Sequence, residues 1–180
     1  MKSFSTLTER ADVILRMLAA YSMILFLFML NIVSVSYPLT GLIKAPFFLM
    51  TIYYWAIYRP TLMPAWFVFI AGCVMDFLSG FPVGLSAFVF LLIQWTVTDQ
   101  RRFLMGQSFM VVWFGFVVVS LGTIAAQWAV FSLIQTQFLP VQSLLVSSVF
   151  GIALFPVICI MLHFTHKLLP AQSMRLHIQT

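Results

Sequence analysis

Residues 64–98, PAWFVFIAGCVMDFLSGFPVGLSAFVFLLIQWTVT, contain two apolar stretches separated by the run SGFPVG at 79–84. Glycine and proline in this run interrupt a helix, so we predict a third helix from about Pro64 to Leu78 and a fourth from Leu85 to Thr98. Asp76 is the one charged side chain in the whole stretch. Two apolar helices joined by a short turn are typical of a helical membrane domain.

The composition of the chain extends this interpretation to its full length. Of 180 residues, 63% are hydrophobic and 7% are charged, whereas soluble domains have about 25% charged residues. At roughly 20 apolar residues per crossing, six crossings need about 120 residues. We therefore predict an all-α integral membrane protein with a six-helix transmembrane bundle at 17–165, a cytoplasmic N-terminal segment at 1–16 and a cytoplasmic tail at 166–180.

The other four predicted spans follow from apolar runs bounded by turn residues or charges. The run after the charged group Asp99–Arg102 has no proline and no evident turn, which favours one long helix. The second run reaches only about 21 Å, so it is either a short crossing or a re-entrant segment. The predicted spans are Met17–Tyr37, Ala45–Tyr58, Phe103–Ile134 and Val141–His163.

The positions of Lys and Arg favour six crossings with both termini in the cytoplasm, because these residues concentrate on the cytoplasmic side. In that arrangement Lys44 alone is external. The second segment is then a true crossing, and Tyr53, Tyr54, Trp55 and Tyr58 are expected to form an aromatic belt at its cytoplasmic end. The cytoplasmic cations are Lys2, Arg10, Arg16, Arg59, Arg101, Arg102, Lys167 and Arg175.

Asp76 needs an explanation, because a charge in the middle of a membrane costs at least about 2.5 kcal/mol. Gly72 and Ser79 lie one turn away on the same face of the predicted helix, and Gly72 permits close approach of another backbone. One interpretation is a polar anchor for a partner helix or small ligand. The other is a cap that accepts N–H groups from the turn at 79–84. Both remain open at this point.

No group of residues suggests catalysis, a metal or a cofactor. Asp76 has no second carboxylate on its side of the membrane, and Cys73 and Cys159 lie in apolar runs. His163 and His166 are expected to be a titrating pair at the membrane interface, not metal ligands. The remaining notable positions are small residues for close helix packing, within the bundle or with another protein: Gly115, Gly122, Ala126, Ser147 and Gly151.

One set of residues resembles a known family. Pro46, the triplet YYW at 53–55, the pair RP at 59–60 and the pattern GxxxDxLSGxxxG at 72–84 together resemble the rod shape-determining protein MreD family. The likeness is concentrated in residues 46–102. The positions it marks as binding or architectural are Pro46, Trp55, Arg59, Pro60, Gly72, Asp76, Ser79, Gly80 and Gly84.

The resemblance implies a non-enzymatic, multi-pass subunit of the bacterial cytoplasmic membrane that supports peptidoglycan synthesis and cell shape. The implied partners are an MreC-like single-span protein, the actin-like MreB and peptidoglycan synthases, besides the lipid bilayer. It also implies a fold similar to the substrate-binding subunits of energy-coupling-factor transporters. That likeness motivates the alternative, a small-molecule-binding subunit of a vitamin-type transporter, with Asp76 facing the ligand. Neither hypothesis involves nucleic acid.

Overall fold

The computed structural model describes residues 3–32, 35–37, 41–43, 45–79, 82–135 and 141–168. These residues form six α-helices and one short β-hairpin, and a single turn of 3-10 helix, Pro60–Leu62, joins the second helix to the third. The elements are α1 (Ser3–Ile32), β1 (Val35–Tyr37), β2 (Gly41–Ile43), α2 (Phe47–Tyr58), α3 (Ala65–Ser79), α4 (Leu85–Met105), α5 (Phe109–Gln135) and α6 (Val141–Leu168).

The short helix α2 lies at the centre of the bundle. It packs against α1, α4, α5 and α6, and every residue from Phe48 to Ile57 is buried. Its residues are apolar on all sides, as expected of a helix that is enclosed by protein. A helix of 12 residues is too short for the hydrocarbon core on its own. Its length is therefore compatible with its position, because the surrounding helices separate it from lipid.

Two glycines allow the outer helices to approach α2 closely. A Cβ at Gly115 of α5 would overlap the Tyr53 hydroxyl, and a Cβ at Gly151 of α6 would lie 2.7 Å from the Pro46 ring. Gly122 has open space where its Cβ would be. Of the small residues noted in the sequence, Gly115 and Gly151 thus serve packing within the bundle.

The Tyr53 side chain joins three helices. Its hydroxyl donates a hydrogen bond to the Val112 carbonyl oxygen at 2.9 Å, and its ring meets those of Phe116 and Phe155 edge-on, with centroids 5.5 and 5.8 Å away. Phe116 and Phe155 stack on each other at 4.2 Å. This aromatic group holds α5 and α6 against the middle of α2.

Replacing Tyr53 by phenylalanine is expected to lower the free energy of unfolding by about 1 kcal/mol, since it removes the bond to Val112 and keeps the ring. Tyr54→Phe is the matched control, because the Tyr54 hydroxyl has no hydrogen-bond partner; we expect no loss. Thermal unfolding in detergent compares the two. Equal effects would show that the Tyr53–Val112 bond contributes nothing to stability.

The first predicted span, Met17–Tyr37, is wrong at its C-terminal end. The helix stops at Ile32, and Val35–Tyr37 form a strand that pairs antiparallel with Gly41–Ile43. The sequence at 33–37, VSVSY, alternates β-branched or aromatic residues with serine, and this period of two favours a strand. Hydropathy alone does not separate such a segment from the end of an apolar helix.

The predicted boundary between the fourth and fifth spans is also wrong. Helix α4 continues through the polar residues 99–102 to Met105, and α5 begins at Phe109. Gly106 ends α4, while the Ser108 carbonyl accepts the N–H groups of Val111 and Val112 at the start of α5. None of the residues 99–102 breaks a helix, whereas glycine and serine favour helix ends. The expected single helix over 103–134 is therefore interrupted at 106–108.

Three helical segments among the described residues are long and apolar enough to cross a membrane: Ile14–Ile32, Phe109–Ala129 and Leu145–Lys167. The last of these shows that the sixth helix continues past the predicted end at His163. Helices α2 and α3 are apolar but shorter. Length and composition therefore define an α-helical membrane protein, and the number of crossings stays a prediction.

Candidate functional site

The residues of the sequence motif lie at both ends of α2. Pro46 precedes this helix and Arg59 follows it, so these two residues are about 20 Å apart at 1.5 Å per residue. The Asp76 end is the end of the bundle with Asp76, Gly84 and the start of α2. The His166 end is the opposite one, with His166 and the last turn of α2. The motif therefore does not form one site.

Asp76 caps the first turn of α4. Its side chain is 0% exposed, and its carboxylate accepts hydrogen bonds from the Gly84 N–H at 2.9 Å and from the Ser86 N–H at 3.0 and 3.1 Å. These donors belong to a helix N-terminus, where N–H groups lack partners within the helix and negative charge is favourable. The carboxylate thus has the hydrogen bonds that the capping interpretation requires.

Gly72 and Gly84 shape the same end. A Cβ at Gly72 would overlap the backbone of Ala87, which confirms the predicted close approach of another helix at Gly72. Gly84 has φ +103°, a conformation that residues with a Cβ avoid. Ser79 is the last residue of α3; its side chain and the whole of Gly80 lie outside the described residues.

Asn31 performs a similar task for α2, although it is not one of the motif residues. Its Oδ1 accepts the Phe48 N–H at 3.1 Å, and its Nδ2 contacts the Met75 sulfur at 3.6 Å. Pro46, at the cap position of α2, makes no side-chain cap bond. The signal in the sequence is the one that identified Asp76: a polar residue near the C-terminal end of an apolar helix.

The predicted aromatic belt at 53–58 is wrong. Tyr53, Tyr54 and Trp55 are buried in the bundle, and only Tyr58 is partly exposed. The His166 ring lies nearly parallel to the Trp55 ring, 11° between planes and 6.0 Å between centroids. Because helices surround this part of α2, the side chains of Tyr53, Tyr54 and Trp55 have no side that faces lipid.

The predicted interfacial pair of histidines has two different environments. His163 is exposed, whereas the half-buried His166 packs edge-on against Tyr54 and Tyr58, with centroids 6.4 and 5.8 Å away. We name Tyr54, Trp55, Tyr58 and His166 the aromatic cluster.

The motif residues Arg59 and Pro60 follow the end of α2, beside the aromatic cluster. The backbone N–H of Arg59 donates to the Trp55 carbonyl oxygen at 2.8 Å. Pro60 starts the 3-10 turn, a position where its missing N–H costs nothing. Trp55, Arg59 and Pro60 are thus at the His166 end, while Pro46, Gly72, Asp76 and Gly84 are at the Asp76 end.

These features define the class of protein: a helical membrane domain in which motif residues cap helices and set their packing. In the part of the chain that the structure describes, no three His, Cys, Asp or Glu residues come together as metal ligands. The chain belongs to the MreD family, because the family model described as rod shape-determining protein MreD matches residues 11–165. The match extends well beyond the resemblance at 46–102. Comparisons with curated proteins and with solved structures give no match.

Proposed function

We propose that this chain is a non-enzymatic scaffold and interaction subunit of the bacterial cell-elongation machinery, which supports lateral peptidoglycan synthesis and cell shape. The observation that carries the proposal is the family match over 11–165, since that family is described as rod shape-determining. Its partners are an MreC-like single-span protein, the actin-like MreB and peptidoglycan synthases. The chain crosses the cytoplasmic membrane six times with both termini inside.

The positions of the motif residues support a scaffold. The Asp76 carboxylate is already occupied by backbone N–H groups, and Gly72 is occupied by α4. These residues therefore shape the bundle, and the exposed apolar surfaces of its outer helices remain for lipid and partner helices. A catalytic acid, by contrast, has to reach its substrate.

The vitamin-carrier alternative gains no support from this geometry. This alternative predicts that Asp76 faces a ligand. Both carboxylate oxygens of Asp76, however, accept hydrogen bonds from the backbone N–H groups of Gly84 or Ser86. In addition, the buried helix α2 fills the middle of the bundle. Similarity to energy-coupling-factor subunits stays a prediction.

Depletion of the protein in its own rod-shaped cell tests the proposal. Cells are expected to become round and to lose lateral incorporation of labelled wall precursor. The wild-type gene expressed in trans is the control and should restore both. Unchanged shape and wall incorporation after complete depletion would contradict the proposal.

A further inference from the structure

The His166 end contains polar atoms without hydrogen-bond partners. The Tyr54 hydroxyl, the Trp55 indole N–H and Nδ1 of His166 are covered and unpartnered; Tyr54 is 2% exposed and Trp55 is 0% exposed. Buried polar groups are nearly always hydrogen-bonded, because an unpaired group has lost its bonds to water without replacement. Three such groups in one cluster leave hydrogen-bonding capacity that the described residues do not use.

The three groups lie next to one another. The ring centroids of Tyr54 and Trp55 are 5.4 Å apart, and the His166 centroid is 6.0 Å from that of Trp55 and 6.4 Å from that of Tyr54. Tyr54 and Trp55 form the buried floor of the cluster, and the half-buried His166 and Tyr58 form its rim. The more accessible side of the cluster is therefore the one formed by His166 and Tyr58.

The charge around the cluster is positive. Arg59 is bonded through its backbone to Trp55, and the exposed Lys167 lies in the last turn of α6. Residues 45–62 and 145–167 contain no Asp or Glu. Indole and guanidinium groups only donate hydrogen bonds, so the ligand that fits has anionic oxygen atoms.

We propose that the aromatic cluster and Arg59 bind the phosphate group of an anionic phospholipid. The membrane-length segment Leu145–Lys167 ends at this point, which corresponds to the headgroup level, where basic residues attract anionic lipids. Arg59 pairs with the phosphate, and Tyr54, Trp55 and His166 donate hydrogen bonds. The floor donors become accessible when the His166 ring turns outward, a side-chain change of the kind common on binding. The inference rests on the membrane arrangement of the proposed function.

The test is native mass spectrometry of the full-length protein in detergent, titrated with phosphatidylglycerol or phosphatidylcholine. Phosphatidylglycerol is expected to bind about tenfold more tightly than phosphatidylcholine. Arg59→Gln is expected to abolish this preference, because one charge-assisted contact accounts for about a tenfold difference in affinity. Tyr54→Phe keeps the ring and removes one donor, so we expect a drop of roughly threefold to tenfold. The lipid-free unfolding temperature of Tyr54→Phe should not fall, which separates lost binding from misfolding.

Arg102→Gln, which removes an exposed cation on α4, is the matched control and should retain the preference. Equal losses from Arg59→Gln and Arg102→Gln would overturn the proposal, because attraction would then depend on overall charge. Inorganic phosphate that competes with the lipid supports recognition of the phosphate group itself; lipid binding without such competition supports an intact phospholipid as the ligand. The proposal would also be overturned if Arg59 bound an acidic protein partner and the protein showed no preference for phosphatidylglycerol. Absence of lipid binding leaves the depletion result unaffected, so the two proposals fail separately.

Discussion

Asp76→Ala is expected to lower the free energy of unfolding by about 3 kcal/mol and to reduce the amount of protein in the membrane. The substitution leaves the N–H groups of Gly84 and Ser86 without their acceptor inside the bundle. Each hydrogen bond to a charged group contributes about 1.5–3 kcal/mol. We expect the lower end of the summed range, because removing the carboxylate also removes the cost of burying a charge. Thermal unfolding in detergent and quantitative immunoblotting of membranes measure the two effects.

Two further variants make this result specific. Asp76→Asn keeps one carbonyl oxygen as an acceptor, so its free energy of unfolding should fall by less than that of Asp76→Ala. Asp99→Ala removes an exposed carboxylate on α4 and should change stability by no more than about 0.5 kcal/mol. Wild-type stability in Asp76→Ala would show that the carboxylate does not stabilise the turn before α4, and would revive the ligand-binding interpretation.

Gly72→Ala is expected to destabilise the protein by about 3 kcal/mol as well. The new Cβ would overlap the Cα of Ala87, so α3 and α4 have to separate, and overpacking of this kind costs roughly 1–3 kcal/mol or more. The separation also draws Asp76 away from Gly84. The gain in helix propensity, at most about 1 kcal/mol, does not offset these losses. Thermal unfolding measures the difference.

Gly122→Ala is the matched control, because the same substitution meets open space there. It should stabilise α5 by up to about 1 kcal/mol, opposite in sign to Gly72→Ala. Adding Ala87→Gly to Gly72→Ala should not restore stability, since the overlap involves backbone and not only the Ala87 methyl group. If Gly72→Ala and Gly122→Ala behave alike, the close approach of α3 and α4 at Gly72 is contradicted.

Local features of the bundle were predictable where a residue conflicts with its surroundings. Asp76 in an apolar helix, followed closely by glycine and proline, predicts either a cap or a site, and Gly72 predicts close helix packing. Both depend on residues near one another in the chain. The turn at 106–108 obeys the same chemistry but was missed, because the long apolar run around it dominates the hydropathy.

The position of α2 was not predictable, because a helix that is apolar on all sides has the same pattern whether lipid or protein surrounds it. Its enclosure depends on packing with α1, α4, α5 and α6, distant segments of the chain. The same limit applies to His166, whose ring lies against Trp55 through tertiary contact alone. The aromatic residues beside Arg59 were therefore interpreted as a belt that faces lipid, whereas Tyr53, Tyr54 and Trp55 are enclosed by protein.

Affinity purification of the full-length protein from membranes of its own cell, followed by mass spectrometry, tests the proposed function most directly. An MreC-like single-span protein and peptidoglycan synthases are expected to co-purify, and an unrelated multi-pass protein carrying the same tag is the control. Recovery of a transporter ATPase and its coupling subunit, without any wall-synthesis protein, would contradict the assignment to the cell-elongation machinery.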